Sequence, residues 1–151
     1  MGNSEKKLKT IKTNETFDTW ISKPFISPEL KKELENTNIL FVPEEINLGE
    51  IDKLTFHTEM RPFYEFLKTK DDENIKAGVC IEESDYKELM LHSDIMRLGE
   101  IIVENIILPL LINYIWDFLK DRHETKIQTK LTINKQNQNN VQLDFEGTTE
   151  D

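Results

Sequence analysis

The stretch IEESDYK, residues 81 to 87, carries the densest chemistry in the chain. Glu82, Glu83 and Asp85 leave a short apolar run, and Asp85 with Lys87 matches the loose acid-x-lysine half of a metal-dependent nuclease site. Carboxylates at a strand end can hold Mg²⁺, and a lysine beside them can polarise a water. Such a site needs a further acidic ligand from upstream, and no segment supplies a compelling one. In a chain with 32% charged residues a triplet of this kind also arises by chance. Glu82, Glu83, Asp85 and Lys87 are therefore candidates only, and no catalytic residue, cofactor or metal is assigned.

Other reactive side chains are no better grouped. Cys80 lies between Val79 and Ile81 in a buried-type run, where a thiol behaves as a small hydrophobe and its pKa rises. His57, His92 and His123 fall in different segments, and none shares a metal-ligand spacing with another or with the cysteine. The five glycines are too scattered for a phosphate-binding loop. A single cysteine excludes an internal disulfide and fits a reducing compartment. TIKTNETFDTW follows the first lysines where a secretory signal would place its apolar stretch, and Lys6 stands where a myristoylation pattern needs Ser or Thr. A cytoplasmic protein is expected.

The formal net charge is −10, although the first residues carry Lys6, Lys7, Lys9 and Lys12 against Glu5 alone. The remainder is thus more acidic than the total, and double-stranded nucleic acid is a poor partner for it. Near the basic residues there are no aromatics to stack single-stranded bases. Residues 1–13 read as a flexible basic tail, 14–147 as one globular domain and 148–151 as a frayed acidic end.

Several elements must position these residues. Asn14 is placed to cap a short helix carrying Phe17, Trp20 and Ile21, and Ser27 with Pro28 opens a second one. NILFVP, residues 38 to 43, reads as a buried strand followed by a polar loop. A helix around Pro62 and a second buried strand in KAGVCIEE, residues 76 to 83, complete a βαβ crossover with parallel pairing. KIQTKLTIN and VQLDFEG alternate apolar and polar residues and form a β-hairpin with one wet face.

The most apolar run, IIVENIILPLLINYIWDFL at residues 101 to 119, reads as a long helix opened by Ser93 and Asp94 and bent at Pro109. Its polar stripe is narrow: Asn105, Pro109, Asn113 and Asp117. Nineteen residues would reach about 28 Å, near a bilayer's thickness. Glu104, Asp117 and the lysines that follow weigh against a span, and the sheet needs a covering helix, so a core helix is preferred. Tyr114, Trp116 and Phe118 are the residues such a helix would have to spare for a partner or a second copy of the chain.

The series NILFVPEE, RPFYEFLK, CIEESDYKELMLHSD and IILPLLINYIWDFL, followed by a hairpin ending LDFEG, resembles a set of small bacterial proteins to which no activity is attached. That resemblance implies a bacterial cytoplasmic setting and nothing about chemistry. The expected fold is a single mixed α/β (α+β) domain, its sheet built from the βαβ unit and the C-terminal hairpin and packed on the bent helix. The expected function is that of a non-enzymatic accessory or regulatory protein, acting through protein–protein interaction or self-association in a multi-component bacterial system such as phage defence. Two alternatives are a membrane-associated protein using residues 101 to 119 and a metal-dependent hydrolase or nuclease using residues 82 to 87.

Overall fold

The structure is a computed structural model that describes residues 4–48, 51–89, 95–134 and 140–149. In chain order its elements are β1 (Ser4–Thr13), α1 (Phe17–Ile21), α2 (Pro28–Leu34), β2 (Ile39–Val42), β3 (Glu44–Leu48), β4 (Ile51–His57), α3 (Met60–Thr69) and β5 (Ala77–Val79). A 3-10 turn (Glu83–Asp85), β6 (Glu88–Leu89), β7 (Met96–Glu104), α4 (Leu108–Asp121), β8 (Lys126–Asn134) and β9 (Asn140–Thr149) complete it.

Strand alternation divides the molecule into layers. The main sheet has six strands in the order β1-β9-β8-β7-β2-β5. On one face Ile39, Phe41, Ile101, Val103, Leu131 and Phe145 pack with Phe63 and Leu67 of α3 and Leu111, Ile115 and Phe118 of α4. On the other, Leu40, Val42 and Ile102 meet Trp20 and Ile21 of α1 and Leu34 of α2. A single mixed α+β domain results, with helices on both faces of a mixed sheet. A second, three-stranded sheet, β3-β4-β6, stands beside it.

Both expected pairings are present. β2 and β5 are parallel with α3 between them, and β8 and β9 are antiparallel. β7 and β8 are parallel too, with α4 as their crossover. The Ser27 hydroxyl accepts from the Leu30 N–H at 3.1 Å with Pro28 in the first turn, the cap expected of that pair. Thr16, not Asn14, caps α1. Its side chain and that of Thr19 each accept from the other's backbone N–H, satisfying two donors that a helix start leaves open.

Several expectations are corrected. The apolar run of residues 101 to 119 is not one bent helix: it is the end of β7, a turn, and most of α4. Ile101, Ile102 and Val103 are β-branched and fully buried between β2 and β8, and a central strand covered on both faces reads as continuous apolar sequence. Pro109 lies in the first turn of α4, where a missing N–H is tolerated, so it starts the helix and does not kink it. At 14 residues α4 reaches about 21 Å, short of a bilayer core. Among the described residues no helix is long and apolar enough to cross a membrane.

The N-terminal segment is not a loose tail, since Ser4–Thr13 pairs along its full length with β9 as the outer strand of the sheet. The register sets Lys7 opposite Glu146 and Lys9 opposite Asp144. At the C-terminus β9 continues to Thr149, past the expected frayed end at 148. The loop expected after Val42 is instead the β3–β4 hairpin. His92, Ser93 and Asp94, and the hairpin loop at 135–139, lie outside the described residues.

Candidate functional site: an edge groove and a polar basin

Polar and reactive groups collect in two places, one at each end of the sheet face that α1 and α2 partly cover. The first is the edge of β5, which among the described residues pairs with β2 alone. Gly78 brings α2 close: a Cβ there would lie 2.7 Å from Leu34 Cδ2 and 2.9 Å from Thr37 Cγ2. The Ile39 N–H donates to the Lys76 carbonyl at 3.2 Å and the Cys80 N–H to the Phe41 carbonyl at 2.8 Å, so the even-numbered residues turn their backbone toward β2. By alternation, the Ala77 N–H and C=O and the Val79 N–H point away from it. That edge opens on a groove of about 330 Å³ whose apolar lining includes Leu30, Tyr64, Val79, Ile81 and Tyr86. Glu33, Glu82 and Glu83 lie along it.

The sequence candidates of residues 82 to 87 sit at this groove with separate tasks. Glu82 Oε1 accepts from the Ser27 N–H at 3.0 Å, which ties the turn to the start of α2, and hydrogen bonds from Ser27 hold its carboxyl below the usual range. Glu83 pairs with Arg61 at 2.7 Å, and the Arg61 guanidinium lies 4.7 Å above the Tyr86 ring. Tyr86 stacks on Phe56 with centroids 5.2 Å apart and donates to Glu88 at 2.9 Å; burial and then Glu88 push its pKa up. Asp85 is exposed, and the Lys87 carbonyl accepts from the Phe56 N–H at 2.9 Å. The four are brought into one turn but not aimed at one point. Among the described residues no three His, Cys, Asp or Glu side chains are grouped to hold a metal ion.

The expected partner residues of the apolar run are occupied internally. Phe118 is 2% exposed, with its ring 5.2 Å from Phe63 and 5.1 Å from Phe66, so it belongs to the core and not to a docking face. Tyr114 donates to Asp72 Oδ2 at 2.7 Å, and Trp116 packs edge-on to Phe145 at 5.7 Å while covering Gly147. Cys80 is fully buried, its thiol donates to the Trp20 carbonyl at 3.6 Å, and burial pushes its pKa up to about 12. It is no nucleophile at neutral pH. His123 is exposed just past the end of α4 and lines neither place.

The second place is a basin of about 730 Å³ over β7, β8 and β9. α1 and α2 cover only the β2 end of this face, and beyond them the outward positions are Arg97 and Glu100 on β7, Gln128 and Lys130 on β8, and Asp144 on β9. A register shift between Arg97 and Gly99 adds one residue to β7 there, so Arg97 and Glu100 share a face although they are three apart. Gly99 absorbs the bulge with φ 80°, and the Thr129 hydroxyl donates to its carbonyl at 2.7 Å. Glu44 and His57 come from the β3–β4 hairpin, Glu15 from the link after β1, and Trp20 and Lys23 from α1 and its exit.

Few of these charges neutralise one another directly. His57 Nε2 lies 3.1 Å from Glu44 Oε2, a contact that holds the Glu44 carboxyl below its ordinary range despite partial burial. Gln142 Nε2 is 3.3 Å from both Glu15 Oε2 and Glu100 Oε1, holding two acids side by side. Burial first, and the neighbouring Glu15 charge second, push the Glu100 carboxyl up to about 8. Arg97 donates from Nη1 to Gln128 Oε1 at 3.1 Å, but among the described residues its buried Nε has no partner.

The wet face of the hairpin was legible as alternation. The contribution of Arg97, Glu100, His57 and Glu44 was not, because a bulge and a strand order that no single segment encodes bring them together. No family model, curated protein or solved structure matches the chain.

Proposed function

We propose that the protein is a non-enzymatic binding module that works in a bacterial cytoplasmic assembly by accepting an extended segment of another polypeptide along β5. One observation carries this reading. The outward N–H and C=O of Ala77 and the N–H of Val79 lie beside a groove that offers apolar side chains on both sides. An added strand gains affinity from main-chain hydrogen bonds and specificity from alternate side-chain pockets. The segment that fits places apolar side chains against Val79, Ile81, Tyr64 and Tyr86 and basic residues toward Glu33, Glu82 and Glu83. Edge strands elsewhere are protected by charges, proline or short length; β5 is short but flanked by apolar walls.

The test is selection from a displayed library of random extended peptides, followed by amide-resolved NMR on the full chain. Binders enriched in alternating apolar and basic residues should protect the Ala77 and Val79 amides from exchange. Ala77→Pro removes one outward donor without touching the β2 pairing and should weaken them at least about tenfold. A library that yields no binder, or binders whose contacts leave those amides unprotected, would sink the proposal.

A further inference from the structure

The basin over β7, β8 and β9 is a second site, independent of the β5 groove. Its volume of about 730 Å³ is of the size of small-molecule pockets, roughly 300 to 1,000 Å³. Its polar groups are arranged but not spent. Arg97 Nε is buried and among the described residues has no acceptor. Lys130 and Asp144 face each other directly across β8 and β9, with about 5 Å between their Cβ atoms, yet among the described residues neither makes a hydrogen bond or close ion pair. A buried donor left open calls for an acceptor, because leaving it unsatisfied costs about 1–3 kcal/mol.

Charge balance narrows the class of ligand. Lys23, Arg97 and Lys130 line the basin together with the carboxyl groups of Glu15, Glu44 and Asp144. Glu100, a fourth acid, is largely protonated at pH 7 and can donate a hydrogen bond. The lining is therefore close to neutral and presents both signs a few ångströms apart. A polyanion or polycation would leave half of it uncompensated, whereas a small molecule with one charge of each sign would satisfy both halves. We propose that the basin binds a small zwitterion of the α-amino-acid class, its carboxylate held by the Arg97 guanidinium and Lys130 and its ammonium group by Asp144 and Glu44. Gly99 keeps the floor open, since a Cβ there would lie 3.3 Å from His57 Cδ2.

The full chain, uniformly labelled with ¹⁵N, should be titrated with each of the twenty common amino acids to about 10 mM, with acetate and methylammonium as half-ligands. At least one amino acid should give saturable shifts at Gly99, Gln128 and Trp20. Lys130→Gln and Asp144→Asn should each weaken it about tenfold or more, as expected for loss of a charge-assisted hydrogen bond, without lowering Tm. Both half-ligands should bind far more weakly than the whole. Absence of any saturable amino-acid shift overturns the proposal, and so does binding indifferent to both substitutions. Acetate binding as tightly as the best amino acid also overturns it, by making the basin a plain anion site. Peptide binding at β5 is read at other amides, so either site can fail without the other.

Discussion

Glu100 illustrates how one buried side chain writes itself into the pH dependence of the whole protein. Its carboxyl titrates near 8 in the folded state against 4.5 ordinarily, because burial and the adjacent Glu15 disfavour the charged form. Between those values the folded chain holds a proton that the unfolded chain has released. Stability therefore falls as pH rises from about 4.5 to 8 and is flat in this respect outside that window. Glu100→Gln removes the ionisation, so the variant should match the wild type below pH 4.5 and exceed it by more than about 1 kcal/mol at pH 8. Urea unfolding at pH 4, 6 and 8 measures this, and a pH-independent difference would refute it. At Gly147 the constraint is steric, since a Cβ would meet Trp116 Cη2 at 2.6 Å and Cζ2 at 3.2 Å. Gly147→Ala should cost about 1–3 kcal/mol and shift the Trp116 fluorescence as the indole gives way; unchanged emission and Tm would show that the ring moves freely.

Elements that announce themselves locally were legible in the sequence, and those defined by their neighbours were not. Ser27-Pro28 marks a helix start by its own chemistry, and KIQTKLTIN carries its alternation within nine residues. IIVENIILPLL is ambiguous by the same logic, because a central strand and a core helix are both apolar without a period. Asn105 and Pro109, the first two residues of the expected narrow polar stripe, in fact mark the passage from β7 to α4, where the Asn105 N–H donates to the Asn134 carbonyl at 3.1 Å. The position of Pro109 has a measurable corollary. Pro109→Ala should change stability by less than about 1 kcal/mol, since the first turn has no bond to restore; a mid-helix proline removed would return about 3 kcal/mol. Phe118→Ala, by contrast, empties a site enclosed by Phe63 and Phe66 and should cost about 3–5 kcal/mol in thermal or chemical unfolding. A cost below 1 kcal/mol would mean that the ring is not where α3 and α4 meet.

At the scale of the molecule, the fold is a sheet with two chemically different regions. The β5 end is apolar and open at its backbone, and the β7–β9 end is polar and ringed by charge. Composition showed that the chain was acidic and that one hairpin had a wet face, but the basin needs the crossover through α4, the bulge at Gly99 and the β3–β4 hairpin at once, and none of these leaves a signature in a single window. KKLKTIKT had too little apolar content to be read as a strand, because an outer strand need bury only part of one face. Removing residues 1–13 should therefore do more than shed a tail. β9 would lose its outer partner, and the shortened protein should unfold at lower temperature and form higher-order species in size-exclusion chromatography. A monomer with unaltered Tm would contradict the pairing.

The register that sets Ser4 opposite Thr149 gives the chain an unusual timetable and an unusual opportunity. During synthesis the opening strand has to wait, dangling and lysine-rich, until Asn140–Thr149 has cleared the ribosome, which leaves a long interval for chaperones to hold it. Once both are in place, Ser4 and Thr149 are neighbours, so a short linker joining those two positions, with new ends cut elsewhere, would rewrite the order of emergence while the finished shape stays the same.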